Sequence, residues 1–117
     1  MPRAFSFSRT FAALNIMLER LVIIPTYNEK ENIRDILAHV LRLEPVFHVL
    51  VVDDGSPDGT ADIVREIQRA HPERVHLLER KGKLGLGTAY IAGFRWALER
   101  DYEFIFELDA DFSHAPD

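Results

Sequence analysis

Two hydrophobic periodicities alternate along the chain from residue 21 onward. Short runs rich in aliphatic, β-branched and aromatic residues are typical of buried parallel strands, because such strands are covered on both faces. Between these runs, apolar residues recur every three or four positions, which is the period of an amphipathic helix. The runs span residues 21–24, 47–52, 74–78 and 102–108, and the helical sets are Ile33, Ile36, Leu37, Val40 and Leu41, then Ile63, Ile67 and Ala70, then Ala89, Ala92, Gly93, Trp96 and Ala97.

This β-α-β-α-β-α-β order predicts an α/β fold. Right-handed crossovers make the sheet mainly parallel, with helices on both faces, and the doubly wound strand order 3-2-1-4 is the expectation. The sequence stops soon after the fourth run, where the apolar residues 104–106 would lie on an open sheet edge. We therefore expect part of a longer domain, truncated after strand four. A complete small four-stranded domain is the alternative.

The first 16 residues differ in composition from the rest of the chain. Arg3 and Arg9 are their only charged residues, and serine and threonine are interspersed. This composition resembles a transit peptide. We favour an unfolded extension instead, with translation starting at the first residue or at Met17. Residues 1–19 are accordingly predicted to be an N-terminal extension, and residues 20–117 to be the folded part.

Composition excludes several classes of protein. The net charge of -5 provides no basic footprint for nucleic acid. The absence of cysteine excludes disulfides and thiolate metal sites, so a metal would be held by oxygen or imidazole. Apolar runs fall far short of the roughly 18 residues that a transmembrane helix needs. We expect a cytoplasmic location, no nucleic-acid partner and no transmembrane segment in this chain.

Polar clusters follow three of the four predicted strands. Ligands of open parallel sheets bind beyond the carboxyl ends of the strands, where the strand order reverses. Asp109 and Asp111 form an Asp-x-Asp pair whose oxygens suit Mg2+ or Mn2+, and such a cation can bridge to a diphosphate. As an isolated pattern, Asp-x-Asp is weak evidence for a metal site. Its position at the end of a predicted strand strengthens that evidence. The clusters occupy residues 25–29, 53–56 and 109–111.

The acidic pair Asp53 and Asp54 ends a wholly apolar strand. An acid in this position commonly accepts hydrogen bonds from a base or from ribose hydroxyls. Helix capping by Asp58 or Thr60 explains the turn that follows, but it does not explain Asp53 and Asp54.

A basic, glycine-rich loop at residues 81–88 precedes the third helix. Such a loop either contacts phosphate through its backbone N–H groups or is simply mobile. Its glycine order matches neither the dinucleotide fingerprint nor a P-loop. Among the five histidines, only His114 is near the candidate site.

Four segments resemble successive blocks of the family-2 glycosyltransferases, specifically of the dolichyl- and polyprenyl-phosphate mannose synthases. They are LVIIPTYNEKENI, VLVVDDGSPDGTADIV, RKGKLGLGTAYIAGFRWAL and ELDADFSHAPD. The resemblance covers about residues 20–117. It implies a Rossmann-like GT-A fold, of which this chain would be the nucleotide-sugar-binding half.

The resemblance also implies the ligands. The donor would be GDP-mannose, with Mg2+ or Mn2+ held by Asp109 and Asp111 on the diphosphate. The acceptor would be a polyprenyl phosphate, and its binding half would follow Asp117, so the protein would be peripheral at the cytoplasmic face of a membrane. The residues that the resemblance places around the nucleoside are Pro25, Tyr27, Glu29, Val52, Asp54, Asp109 and Ala110.

The implied reaction transfers mannose with inversion at the anomeric carbon. A cation would offset the charge that develops on the leaving nucleoside diphosphate. The acceptor phosphate, with a second pKa of about 6, is already largely ionised near neutral pH, so no catalytic base is assigned. The alternatives are a related transferase for glucose or another sugar, a non-catalytic nucleotide-binding fragment, and a phosphatase of the haloacid-dehalogenase type with Asp109 as nucleophile. The phosphatase would require that loop to follow the first strand.

Overall fold

The computed structural model describes residues 20–82 and 84–110. Within these ranges, strands and helices alternate in the predicted order. The predicted extension at residues 1–19, Asp111 and His114 lie outside the described residues. The strands are β1 (Arg20–Thr26), β2 (His48–Asp53), β3 (Val75–Glu79) and β4 (Phe104–Glu107), and the helices are α1 (Lys30–Leu41), α2 (Thr60–Ala70) and α3 (Leu86–Leu98).

The four strands form a parallel sheet in the order β3-β2-β1-β4, which confirms the predicted order. Thr26 at the end of β1 lies opposite Asp53 at the end of β2. On the other side of β1, the N–H of Leu108 donates to the carbonyl of Ile23 at 3.0 Å, just after β4 ends. The carboxyl ends of β2, β1 and β4 therefore lie side by side at one edge of the sheet.

β1 continues through Pro25, two residues beyond the predicted run. The carbonyl of Ile23 points toward β4, where it accepts the N–H of Leu108. Because a strand repeats every two residues, the nitrogen of Pro25 also points toward β4. The last residue of β4 pairs with Ile23. The proline therefore removes no hydrogen bond of the β1–β4 ladder.

Different helices cover the two faces of the sheet. Successive residues of β1 and β2 point to opposite faces, as the two-residue period of a strand requires. In α2 the buried residues are Thr60 and Val64, whereas Ile63 and Ile67, which predicted this helix, are only partly buried. One cluster joins Val22, Ile24, Val49 and Val51 to Ile33, Ile36, Leu37 and Val40 of α1 and Val64 of α2, and the other joins Leu21, Ile23, Leu50 and Val52 to Ala89 and Ala97 of α3.

Among the helices in the described part of the chain, none combines the length and the apolar character that crossing a bilayer requires.

Two histidines lie in an aromatic cluster toward the amino ends of the strands. Nδ1 of His48 is 2.8 Å from the hydroxyl oxygen of Tyr102, and the ring of His76 lies 5.0 Å from that of Trp96. Burial lowers the pKa of both histidines, and the positive charges of Arg74 beside His48 and Arg100 beside His76 lower each pKa further. Neutral imidazoles are therefore favoured in the folded state.

These lowered pKa values predict a loss of stability in acid. Glu73 favours protonation of both histidines, through its charge at His48 and a backbone hydrogen bond at His76, but burial outweighs it. Because the folded-state pKa lies below the unfolded value, the stability that the neutral histidines contribute is fully present above pH about 6.5 and is lost as the pH falls through the folded pKa.

Urea unfolding at pH 7.5 and 5.5 measures this loss of stability. We expect His76→Phe to reduce the difference in unfolding free energy between the two pH values, and His39→Phe, at an exposed position of α1, to leave it unchanged. An unchanged difference in His76→Phe would contradict the prediction.

Candidate functional site

The loop after β1 is fastened to the loop after β2. The carboxylate of Asp53 accepts hydrogen bonds from the hydroxyls of Thr26 (2.6 Å) and Ser56 (2.7 Å) and from the N–H of Ser56 (3.0 Å). The Ser56 hydroxyl accepts the N–H of Asn28 (2.8 Å), which has a φ of 57°, a left-handed conformation that asparagine tolerates. Both oxygens of buried Asp53 are thus used within the protein. Asp53, considered above as an acceptor for a ligand, thereby orders the two loops, and whether it also meets a ligand stays a prediction.

Asp58 joins the beginnings of two helices. Its carboxylate accepts the N–H of Lys30 (3.1 Å), the first residue of α1, and the N–H (3.0 Å) and hydroxyl (2.5 Å) of Thr60, the first residue of α2. Burial acts to raise the pKa of Asp58, but these hydrogen bonds outweigh it and lower the pKa below its ordinary value. The Thr60 hydroxyl also accepts the N–H of Glu29 (3.0 Å). One carboxylate therefore satisfies N–H groups that both helices leave without an internal partner.

Asp54 is paired with Arg80, which follows β3. Nε of Arg80 lies 2.7 Å from one carboxylate oxygen and an Nη nitrogen lies 3.0 Å from the other. This two-bond geometry is the strong form of a carboxylate–guanidinium contact, and the side chains are only 7% and 13% exposed. Sequence reasoning assigned no contact to Arg80, although this residue follows the third apolar run and begins one of the four segments that resemble the family. Whether Asp54 also meets a nucleoside stays a prediction.

Asp109 and Ala110 follow β4 beside β1. Ala110 is buried in the core, whereas Asp109 is exposed. Burial raises the pKa of Tyr90 on α3, and the negative charges of Glu107 and Asp109 raise it further. Negative charge is therefore concentrated around the end of β4, and a carboxylate there is a suitable ligand for a divalent cation.

The second member of the predicted metal pair, Asp111, is outside the described residues. Among residues 20–82 and 84–110, no group of three or more histidine, aspartate or glutamate side chains is arranged to hold a metal. The pairing of Asp109 with Asp111 therefore stays a prediction. The place of Asp109 after the fourth strand, not the first, argues against the phosphatase alternative.

The remaining predicted residues differ in their access to a ligand. Tyr27 and Glu29 are partly exposed in the loop after β1. Pro25 is buried opposite Val52, and Val52 is 0% exposed beneath α3. Tyr27, Glu29 and Asp54 thus follow the carboxyl ends of β1 and β2, next to Pro25 and Val52 in the last residues of those strands. Their contacts with a nucleoside stay predictions.

Comparison with known proteins identifies the family. Residues 21–117 match the family model described as Glycosyl transferase family 2. The chain belongs to glycosyltransferase family 2. This family-2 chain is 56% identical over 97 residues to the polyprenol monophosphomannose synthase of Mycolicibacterium smegmatis and 53% identical over 97 residues to the undecaprenyl-phosphate mannosyltransferase of Micrococcus luteus. Both matches cover 83% of this chain, but only 37% and 40% of the relatives, so the chain spans about two fifths of their length.

A solved mannosyltransferase shares the fold of this family-2 chain. The structure of PcManGT from Pyrobaculum calidifontis, in complex with GDP-Man and Mn2+, matches with a TM-score of 0.62 and 32% sequence identity. The match covers 67% of this chain and 24% of that protein. The predicted GT-A fold and the resemblance to polyprenyl-phosphate mannose synthases are thereby confirmed.

Proposed function

We propose that this chain binds the nucleotide-sugar donor of an enzyme that transfers mannose from GDP-mannose to a polyprenyl phosphate. The observation that carries the proposal is the 56% identity to a polyprenol monophosphomannose synthase across the strands whose ends form the candidate site. The GDP-Man in the complex of PcManGT supports the choice of donor. Transfer with inversion is proposed for the whole protein, and the donor side of the reaction is assigned to this chain.

In this proposal the nucleoside lies against the edge formed by β2, β1 and β4. The partly exposed ring of Tyr27 offers an apolar face on which a base can pack, and its neighbour Glu29 offers acceptor oxygens. Asp54 faces the same edge while it holds Arg80. Buried residues form the floor of the pocket. The proposed donor-binding residues are Pro25, Tyr27, Glu29, Val52, Asp54, Asp109 and Ala110.

Asp109 and Asp111 are proposed to hold a divalent cation, Mn2+ or Mg2+. Their carboxylate oxygens are suitable ligands for such a cation, and the negative charges of Glu107 and Asp109 lie together near Tyr90. The ion, when bound, supplies positive charge that offsets the charge developing on the leaving diphosphate. The acceptor phosphate needs no base from this chain, because it is largely ionised near neutral pH. Since that acceptor is a lipid, we place the protein at the cytoplasmic face of a membrane as a peripheral protein.

Calorimetric titration of the chain with GDP and with UDP, each with Mn2+, tests the proposed donor. We expect GDP to bind at least about tenfold more tightly than UDP, which corresponds to about 1.4 kcal/mol. Circular dichroism confirms that the titrated chain is folded. A preference for UDP would overturn the assignment of GDP-mannose and would favour a related transferase with another donor.

A further inference from the structure

Arg80 joins three parts of the fold. One of its Nη nitrogens donates to the Gly85 carbonyl (3.3 Å) and to the Thr88 hydroxyl (3.1 Å) as well as to Asp54. Its backbone N–H donates to the carbonyl of Asp53 (2.8 Å). The guanidinium therefore connects the ends of β2 and β3 to the beginning of α3.

Residues 84–88, which include the first three residues of α3, make further contacts of this kind. The N–H of Leu84 donates to the Asp54 carboxylate (3.2 Å), and the Thr88 hydroxyl lies 2.9 Å from the carbonyl oxygens of Leu84 and Gly85. Apolar burial contributes little here, because Leu84 and Leu86 are 57% and 56% exposed. The position of this segment thus depends on polar contacts that converge on Asp54 and Arg80.

We propose that Asp54 and Arg80 form a positioning pair that holds residues 84–88 as one wall of the donor site. Arg80 acts through this segment and through Asp54, not by touching the nucleotide. This inference rests on the proposed function. It assigns a role to a residue that belongs to none of the predicted contacts.

The pair also has an electrostatic consequence for an anionic donor. Asp54 is 7% exposed, and without Arg80 it would be a buried carboxylate lacking a compensating charge. That negative charge would lie at the edge proposed for a diphosphate and would oppose its binding. Loss of Arg80 therefore weakens donor binding in two ways, by releasing the wall and by exposing the donor to an uncompensated anion.

The test combines Arg80→Ala and Arg80→Lys with two measurements on the chain. Amide hydrogen exchange reports the order of residues 84–88, and calorimetry with Mn2+ and GDP reports donor affinity. For Arg80→Ala we expect exchange in this segment to accelerate and GDP affinity to fall, each at least about tenfold. Lysine keeps the charge but cannot make both bonds to Asp54, so Arg80→Lys should recover part of the affinity while exchange stays fast.

Two further variants separate this role from general stability. Thr88→Val removes an exposed partner of Arg80 without unfolding the chain, and should weaken GDP binding about threefold while speeding exchange. Arg34→Ala breaks an exposed ion pair with Glu66, 3.1 Å long, on the helical face and should change neither measurement.

The possible outcomes are distinct. Wild-type GDP affinity in a folded Arg80→Ala or in Thr88→Val, or unchanged exchange in both, would overturn the positioning role. If the unaltered chain bound no GDP, the proposed function would fail and the donor-wall role with it. Exchange would still decide whether the pair holds the segment.

Discussion

Replacement of Asp109 or Asp111 with asparagine is expected to remove most of the Mn2+-dependent part of GDP affinity. In the proposed site, two carboxylates would face an anionic diphosphate and oppose its binding without a cation, whereas a bound cation would reverse the sign of this local field. We expect Mn2+ to strengthen GDP binding at least about tenfold in the unaltered chain, and about twofold or less in either variant. Paired calorimetric titrations with Mn2+ and with a chelator measure the difference.

Asp101→Asn is the matched control for this prediction. It makes the same change in net charge on an exposed residue before β4, at the opposite end of that strand. Its metal enhancement should equal that of the unaltered chain. Equal GDP affinities with Mn2+ and with chelator in the unaltered chain would refute the metal site. A full enhancement in Asp109→Asn would remove Asp109 from it.

Gly55→Ala is expected to lower the free energy of unfolding by about 2–5 kcal/mol, the sum of two separate costs. Gly55 has a φ of +69°, a left-handed conformation that alanine adopts only with strain. A Cβ atom there would also lie 2.8 Å from the backbone nitrogen of Gly82 and 3.3 Å from the carbonyl oxygen of Arg80. Because both neighbours are backbone atoms, the whole turn after β3 would have to move. Urea unfolding followed by circular dichroism measures the loss.

Two other glycines separate these costs. Gly59 has a φ of +96°, but nothing lies within 4 Å of its added Cβ, so Gly59→Ala should cost only the conformational strain, about 1–2 kcal/mol. Gly87 in α3 has neither a positive φ nor a close neighbour, so Gly87→Ala should be neutral or stabilise by up to about 1 kcal/mol. If Gly55→Ala cost no more than Gly59→Ala, the close approach of the two turns would not limit stability.

The site was predictable to the extent that it depends on strand ends. Asp109 and Tyr27 follow apolar runs, and the register of β1 with β4 and β2 brings those ends to one edge, as parallel pairing requires. How deeply each residue is buried could not be predicted from its position near a strand end. Val52 and Asp54 are two residues apart in sequence, yet Val52 is sealed beneath α3 while Asp54 meets Arg80.

The sequence by itself determined the alternation of strands and helices and the face of α1 that meets the sheet. Ile33, Ile36, Leu37 and Val40 recur at the period of a helix and bury one side of α1, because a helix turns the same side to the core every three or four residues. These are local properties of the chain, so its pattern of apolar residues carries them.

Only the tertiary structure decided which partners the acidic residues have. Asp53 and Asp54 are adjacent, but Asp53 bonds to Thr26, 27 residues earlier, and Asp54 bonds to Arg80, 26 residues later. Thr26 ends β1 and Arg80 follows β3, and the sheet register that aligns them leaves no trace in the spacing of apolar residues. Folding therefore gave one acid a structural role between two loops and placed the other in a buried ion pair beside the candidate site.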